Sequence, residues 1–220
     1  MTYSLVGRCA RTGMFGAAVT TSSGAVGSRC PYARAKLGAV LTQHRTDPRL
    51  GPRGLDLLEA GHSADVVIAE LTQNDPTIGW RQLAVIDSDG QTAFFHGDRI
   101  KSIHAENQGK DCCAIGNIIR NEDVPKAMTD AFEADPNEPL AERLLRALEA
   151  GDAAGGEFRQ IKSAALLVVH QESFPYVDLR VDLDRAPLAQ LRYQWELDKP
   201  LLERYIERVL DPDSVPYPEV

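Results

Sequence analysis

The sequence has no uninterrupted apolar run approaching the roughly twenty residues that a membrane helix needs, so a spanning segment is not expected. It has no long cationic run either. With 24 Lys and Arg against 32 Asp and Glu, the formal net charge is −8, which disfavours general affinity for nucleic acid or for anionic membranes. The opening MTYSLVGRCARTG lacks the charged, apolar and cleavable layout of a secretory signal, and a cytoplasmic location is the expectation. Cysteine is sparse: Cys9, Cys30, Cys112 and Cys113 show no C-x-x-C spacing, which argues against a zinc site or a disulfide framework and for buried thiols. A Walker pattern, an internal repeat and low-complexity segments are all missing, and so is the regular βα alternation of a doubly wound parallel sheet.

What remains is the composition of a soluble globular chain: 220 residues, 43% hydrophobic and 25% charged, close to the averages and enough for one sizeable core. Residues 3–9 alternate in polarity, Arg11-Thr12-Gly13 offers a turn, and residues 14–20 are apolar and β-rich, which predicts a hairpin at the very start. A second strand pair is expected at 25–29 and 37–42, the latter carrying the buried-strand run GAVLT. Residues 47–61 read as a turn and then a helix closed by Gly61; a second helix starts at Ser63 and stops at Asn74-Asp75-Pro76. Asp87-Ser88-Asp89-Gly90 between residues 81–86 and 91–96 is a further hairpin signal, and a short strand follows at 112–115.

Helices are predicted at 124–134 and 139–150, with Gly151 just beyond the second. Strands follow at 164–169 and 177–183, the latter with Val177, Leu179, Val181 and Leu183 inward. Two more helices, 188–197 and 201–210, are separated by Pro200, and residues 211–220, with three prolines, read as an extended tail. The order predicts an α+β chain, a four-layer α-β-β-α sandwich of mainly antiparallel sheets in a single domain over residues 1–210.

Four places can carry chemistry. Removal of Met1 would leave Thr2 with a free α-amine, and such a residue unites a hydroxyl nucleophile with a base whose ordinary pKa is roughly 7.7–8.0. The strand end Cys113-Ala114-Ile115-Gly116-Asn117 presents small residues and an amide where an oxyanion can be held, or else a plain turn with Asn as local cap. Thr42-Gln43-His44 and Asp47 bring polar groups abruptly to the end of a buried strand, where sites are usually built. Finally, the Gly-rich stretch 155–163 can line a pocket and bind a carboxylate through Arg159 or Lys162, or serve as a flexible loop. The remaining histidines are too scattered for a ligand set, and no metal or cofactor is expected.

The segments SLVGRCARTGMFGAAV, VGSRCPYARAKLGAVLTQ, GPRGLDLLEAG, RQLAVIDSDG and LRALEAGDAAGGEFRQIKSAALLVV, in this order over about residues 2–185, together resemble the bacterial domain of unknown function family 1028. That family in turn resembles the N-terminal nucleophile hydrolases, the α-β-β-α group that includes proteasome β-subunits. The resemblance implies an amide-bond hydrolase with Thr2 as nucleophile and with Gln43, Gly116 and Asn117 stabilising the oxyanion. His44, Asp47 and Arg159 would then bind a small-molecule substrate, and the chain would form a homo-oligomer.

Two departures matter. Proteasome-like proteases carry an Asp at the end of the second strand and a Lys on the third, where this chain has Thr20-Thr21-Ser22-Ser23 and, nearest, Arg34 and Lys36. Asp47 also stands where the family typically has Asn, in TQHRTDP. The alternatives are a non-catalytic binding or assembly subunit of the same architecture, or an enzyme using Cys9, Cys30 or Cys113.

Overall fold

The computed structural model describes residues 1–215. Its larger sheet is built on the N-terminal hairpin: β1 (Thr2–Cys9) and β2 (Met14–Thr21) pair from Cys9 opposite Met14 to Thr2 opposite Thr21, and Gly13 takes the positive φ that the turn requires. β9 (Ser163–Val169) and β10 (Val177–Val181) extend the sheet beyond β2, while β8 (Cys112–Asn117) and β7 (His104–Gly109) extend it beyond β1. The smaller sheet runs β3 (Pro31–Arg34), β4 (Gly38–Gln43), β5 (Gln82–Ile86), β6 (Thr92–His96) in chain order. Every strand pairing described is antiparallel.

The period-2 alternation of a strand sorts side chains to opposite faces. Tyr3, Leu5 and Cys9 of β1 join Phe132 of α3 (Asp123–Glu133), Leu144 of α4 (Leu140–Ala153) and Trp195 of α5 (Pro187–Asp198) in one apolar cluster. Val6 on the other face meets Val19, Ile115, Leu41, Ala84 and Ile86, a cluster drawn from both sheets. On the smaller sheet, Val40, Leu83 and Val85 turn outward onto Leu55 and Leu58 of α1 (Leu50–Glu59) and Val67 and Leu71 of α2 (Ala64–Thr72). The fold is thus mixed α+β with antiparallel sheets, and each fully buried aliphatic or aromatic side chain contributes about 1.5–3 kcal/mol by leaving water.

Several sequence expectations shift. Residues 25–29 are not a strand: Ala25 adopts φ 54°, Val26–Ser28 form a 3₁₀ turn with Val26 N–H donating to Ser163 Oγ, and the strand comes later, at β3. The β7 strand, HAENQG, escaped prediction because it is an edge strand whose polar residues give no apolar alternation. Gly151 lies inside α4 rather than past its end; a Cβ there would stand 2.8 Å from Met128, so it is a close-approach glycine. Ser63 makes no side-chain cap on α2, because Asp87 Oδ2 accepts from Ala64 N–H at 3.0 Å in its place. β10 ends at Val181 and leaves Leu183 in solvent. Residues 211–214 form a turn closed by Ser214 N–H to Asp211 O, and the rest of the expected tail lies outside the described residues.

Candidate functional site

Register places five polar residues in one row across the larger sheet. Ser163, Thr21, Thr2, Asn117 and His104 are directly opposite one another on β9, β2, β1, β8 and β7, so their side chains share a face. That face is the one toward the smaller sheet, because two residues further along Val19 and Ile115, and four along Ala17, Val6 and Cys113, belong to the inter-sheet cluster. The smaller sheet answers with its own polar row, Gln43 opposite Gln82 opposite His96. The layer between the sheets is therefore apolar along its length and polar at the end where the chain begins.

At that end Thr2 is 6% exposed and its Oγ1 stands 3.2 Å from Thr21 Oγ1. Both hydroxyls donate to the Met1 carbonyl, and Ser22 Oγ donates to the Met1 sulfur at 3.5 Å, so Met1 is folded back over the row. Behind them lies Glu157, buried, with both carboxylate oxygens accepting from Ser22 N–H at 3.1 Å. Its backbone is delivered there by the Gly155-Gly156 turn, both at positive φ, and by a bridge to Ile119. Burial pushes the Glu157 carboxyl up to about 7, although the Met1 ammonium and the hydrogen bonds from Ser22 and Thr21 pull the other way. The Met1 amine is held below its usual range, chiefly by burial and in part by Arg159, with Glu157 opposing.

Amides fill the rest. Gln43 Oε1 accepts from Ser4 Oγ at 2.8 Å, and Gln43 Nε2 donates to Gln82 Oε1 at 2.6 Å. Gln82 Oε1 also accepts from Asn117 Nδ2 at 2.9 Å, and its Nε2 donates to Gly116 O at 2.8 Å and to His96 Nδ1 at 2.7 Å. With Nδ1 accepting, the proton of neutral His96 sits on Nε2, 2.9 Å from Glu106 Oε2. Burial, assisted by nearby His104, lowers His96 to about 4 and keeps it neutral. Of these amide groups only Asn117 has a buried atom, Oδ1, without a partner among the described residues, a cost of about 1–3 kcal/mol that a buried network normally avoids.

Both loops that leave this end are strained. His44 and Arg45 after β4, and Ile118 after β8, take φ of 53°, 46° and 54°. For a β-branched residue such as Ile118 that region is a true outlier, and such residues cost about 1–3 kcal/mol and gather at functional sites.

Of the residues singled out from sequence, Thr2, Gln43, Gly116 and Asn117 converge here. Arg159 is exposed within electrostatic reach of the Met1 amine. His44 also feels that amine and His104, with its Nδ1 bonded to Trp80 O at 2.7 Å. Asp47 is not among them: it is buried against Arg49 at 2.6 Å in a separate cleft of about 500 Å³ between α1 and the 73–76 turn. Sequence reasoning missed Thr21, Glu157, Gln82 and His96. Hairpin arithmetic gives three of them, since a turn at 11–13 sets Thr2 against Thr21 and the 87–90 turn sets Gln82 against His96. Among the described residues no cluster of His, Cys, Asp and Glu fits a metal ion, and no helix is long and apolar enough to cross a membrane.

The family of unknown function DUF1028 matches this chain over residues 2–191. The chain belongs to the DUF1028 family. A crystal structure of protein SPO2555 from Silicibacter pomeroyi, assigned to the same family, is 30% identical with a TM-score of 0.84, over 90% of this chain and 86% of that one. The ancestral β-subunit Anbu from Yersinia bercovieri aligns over 99% of this chain and 100% of its own, at 12% identity and a TM-score of 0.39. No curated protein matches this DUF1028 member.

Proposed function

We propose that this DUF1028 chain is an amide-bond hydrolase of the N-terminal nucleophile type. In this reading it is a four-layer α-β-β-α protein of the cytoplasm that acts as a homo-oligomer on a small amide or peptide-like metabolite. Thr2 is the nucleophile once Met1 has been removed. The supporting observation is Thr2 Oγ1 3.2 Å from Thr21 Oγ1 at the polar end of the inter-sheet layer, with Glu157 behind. A hydroxyl is a weak nucleophile and needs an adjacent base. The freed Thr2 amine is that base, and buried Glu157, whose carboxylate accepts from Ser22 N–H behind the threonines, stands in for the missing Asp and Lys by orienting the amine.

Thr2 Oγ attacks the amide carbonyl carbon as its proton passes to the amine. The C–N bond then breaks, the proton goes to the leaving nitrogen, and water hydrolyses the resulting ester to a carboxylic acid and restored Thr2. Gly116 and Asn117 face the oxyanion, while Gln43, fully buried, positions them through Gln82. His44 and Arg159 contact substrate at the opening. Asp47, turned to Arg49, reaches substrate only through the neighbouring cleft. Burial disfavours Cys30 and Cys113 as internal nucleophiles, pushing the Cys30 thiol to about 12 and raising Cys113 as well, whereas at Cys9 the raising effect of burial is outweighed by hydrogen bonds from Thr12 and Arg11, which lower the thiol.

A non-catalytic subunit is favoured by one observation, the Met1 carbonyl held by both threonine hydroxyls. A fusion cleaved to begin at Thr2, treated with a β-lactone electrophile, separates the two readings. The hydrolase reading expects one acyl adduct on Thr2, absent from Thr2→Ala and from the Met1-bearing chain. An unlabelled Thr2-first chain, or undiminished labelling of Thr2→Ala, overturns it.

A further inference from the structure

The opposite end of β1, seven residues and roughly 23 Å along the strand from Thr2, opens into a pocket of about 290 Å³. Its charge runs against that of the molecule: Arg8, Arg11, Lys110 and Arg143 line it with only Asp111 and Glu133 in opposition, on a chain of net charge −8. Arg8 is paired with Asp111 at 3.1 Å, and its Nε is buried without a partner among the described residues. The Glu133 carboxylate accepts from Lys110 backbone N–H.

Arg143 is the unusual member. It is 6% exposed, its Nε donates to Phe132 O at 2.9 Å and its guanidinium lies 3.9 Å over the Phe132 ring, yet it makes no ion pair among the described residues. A buried guanidinium stays charged and is held by a carboxylate or phosphate partner as a rule, and here Asp111 and Asp135 act on Arg143 only from beyond ion-pair distance. The two terminal amino groups of Arg143 therefore have unspent donors at a pocket wall. Among the described residues Lys110 likewise has no ion-pair partner, and Arg11 donates only to Asn137 O.

We infer that this pocket binds a phosphate group, as orthophosphate or as the phosphate of a small monoester. Three cations arrive from three elements, the β1–β2 turn, the β7–β8 turn and α4. That suits a tetrahedral dianion with oxygens in three directions better than a planar carboxylate, which one arginine fork saturates. The site is independent of the hydrolase reading, and Thr2→Ala leaves it intact.

Calorimetric titration of the full chain with sodium phosphate, and separately with glycerol phosphate, at ionic strength held constant with sodium chloride, tests the inference. Saturable binding with a rise in melting temperature is expected for phosphate and not for acetate; preference between the two phosphates identifies the form bound. Lys110→Ala, exposed and outside the core, is expected to bind about tenfold more weakly with an unchanged ligand-free melting temperature. Arg143→Met, which keeps apolar contact with the Phe132 ring but carries neither charge nor donor, is expected to lose binding. Absence of saturable heat in the folded wild type, an equal response to acetate, or wild-type affinity in Lys110→Ala overturns the site.

Discussion

Buried Glu157 and half-buried His96 lie at the same end of the molecule and titrate in opposite senses. Burial takes Glu157 from 4.5 to about 7 and His96 from 6.5 to about 4. The folded chain holds the Glu157 proton more tightly than the unfolded chain does, so that contribution is complete below pH 4.5 and is lost as pH rises toward 7. Folding resists protonation of His96, so its contribution is complete above pH 6.5 and is lost as pH falls toward 4. Between 4.5 and 6.5 the two slopes oppose. Denaturant midpoints measured across this window are expected to climb with pH in Glu157→Gln and to drop with pH in His96→Gln. Wild-type profiles in both variants would refute the opposed titration. The same carboxyl explains why sequence alone undersold the site: Glu157 follows two glycines in a loop, and nothing in its neighbours announces that Ser22 and the chain's amino terminus fold over it.

At the scale of elements, local alternation made much of the fold legible. The N-terminal hairpin, the 87–90 turn and the Leu140-Leu144-Leu148 stripe each bury as their spacing dictates, because period 2 or 3.6 decides which face meets the core. What stayed hidden were elements defined by distant partners, such as polar β7 on the sheet edge and the 26–28 turn that Ser163 holds from 137 residues away. Helix α5 is a further case, with little amphipathic pattern of its own yet pinned through charge: Glu142 on α4 is buried and accepts from Trp195 Nε1 at 2.7 Å, from Arg192 Nη1 at 2.8 Å and from Arg146 Nε at 2.9 Å. Removing that acceptor leaves a buried indole N–H and two guanidinium groups short of a partner, a loss of about 3 kcal/mol. Glu142→Ala is expected to lower thermal stability by that order and to speed amide exchange in α5 before the sheets. Exchange of α5 at the wild-type rate would show that apolar packing of Leu191 and Trp195 suffices to hold it.

For the whole molecule, the outer surface of the C-terminal helices bears on assembly. Tyr193, Leu197, Leu201, Tyr205 and Val209 recur at every fourth residue from α5 into α6 (Leu202–Leu210), and all five are exposed. A ridge of i, i+4 side chains is the surface that interlocks with a like ridge at about −50°; here the row crosses the 3₁₀ turn Lys199–Leu201, and exposed apolar residues in such number mark an interaction site. In the homo-oligomer proposed above a second copy would cover this strip, whose edge carries charges of both signs, Glu203 and Glu207 beside Arg208. An isologous contact needs self-complementarity, which charges of both signs allow. Sedimentation velocity over a concentration series is expected to give a dimer or a multiple of it for the wild type. Leu197→Glu combined with Val209→Glu is expected to give a monomer of unchanged melting temperature, since neither side chain is part of the core. A wild-type monomer at every concentration, or a double variant that still associates, would remove this face from the assembly and leave the homo-oligomer without its proposed contact.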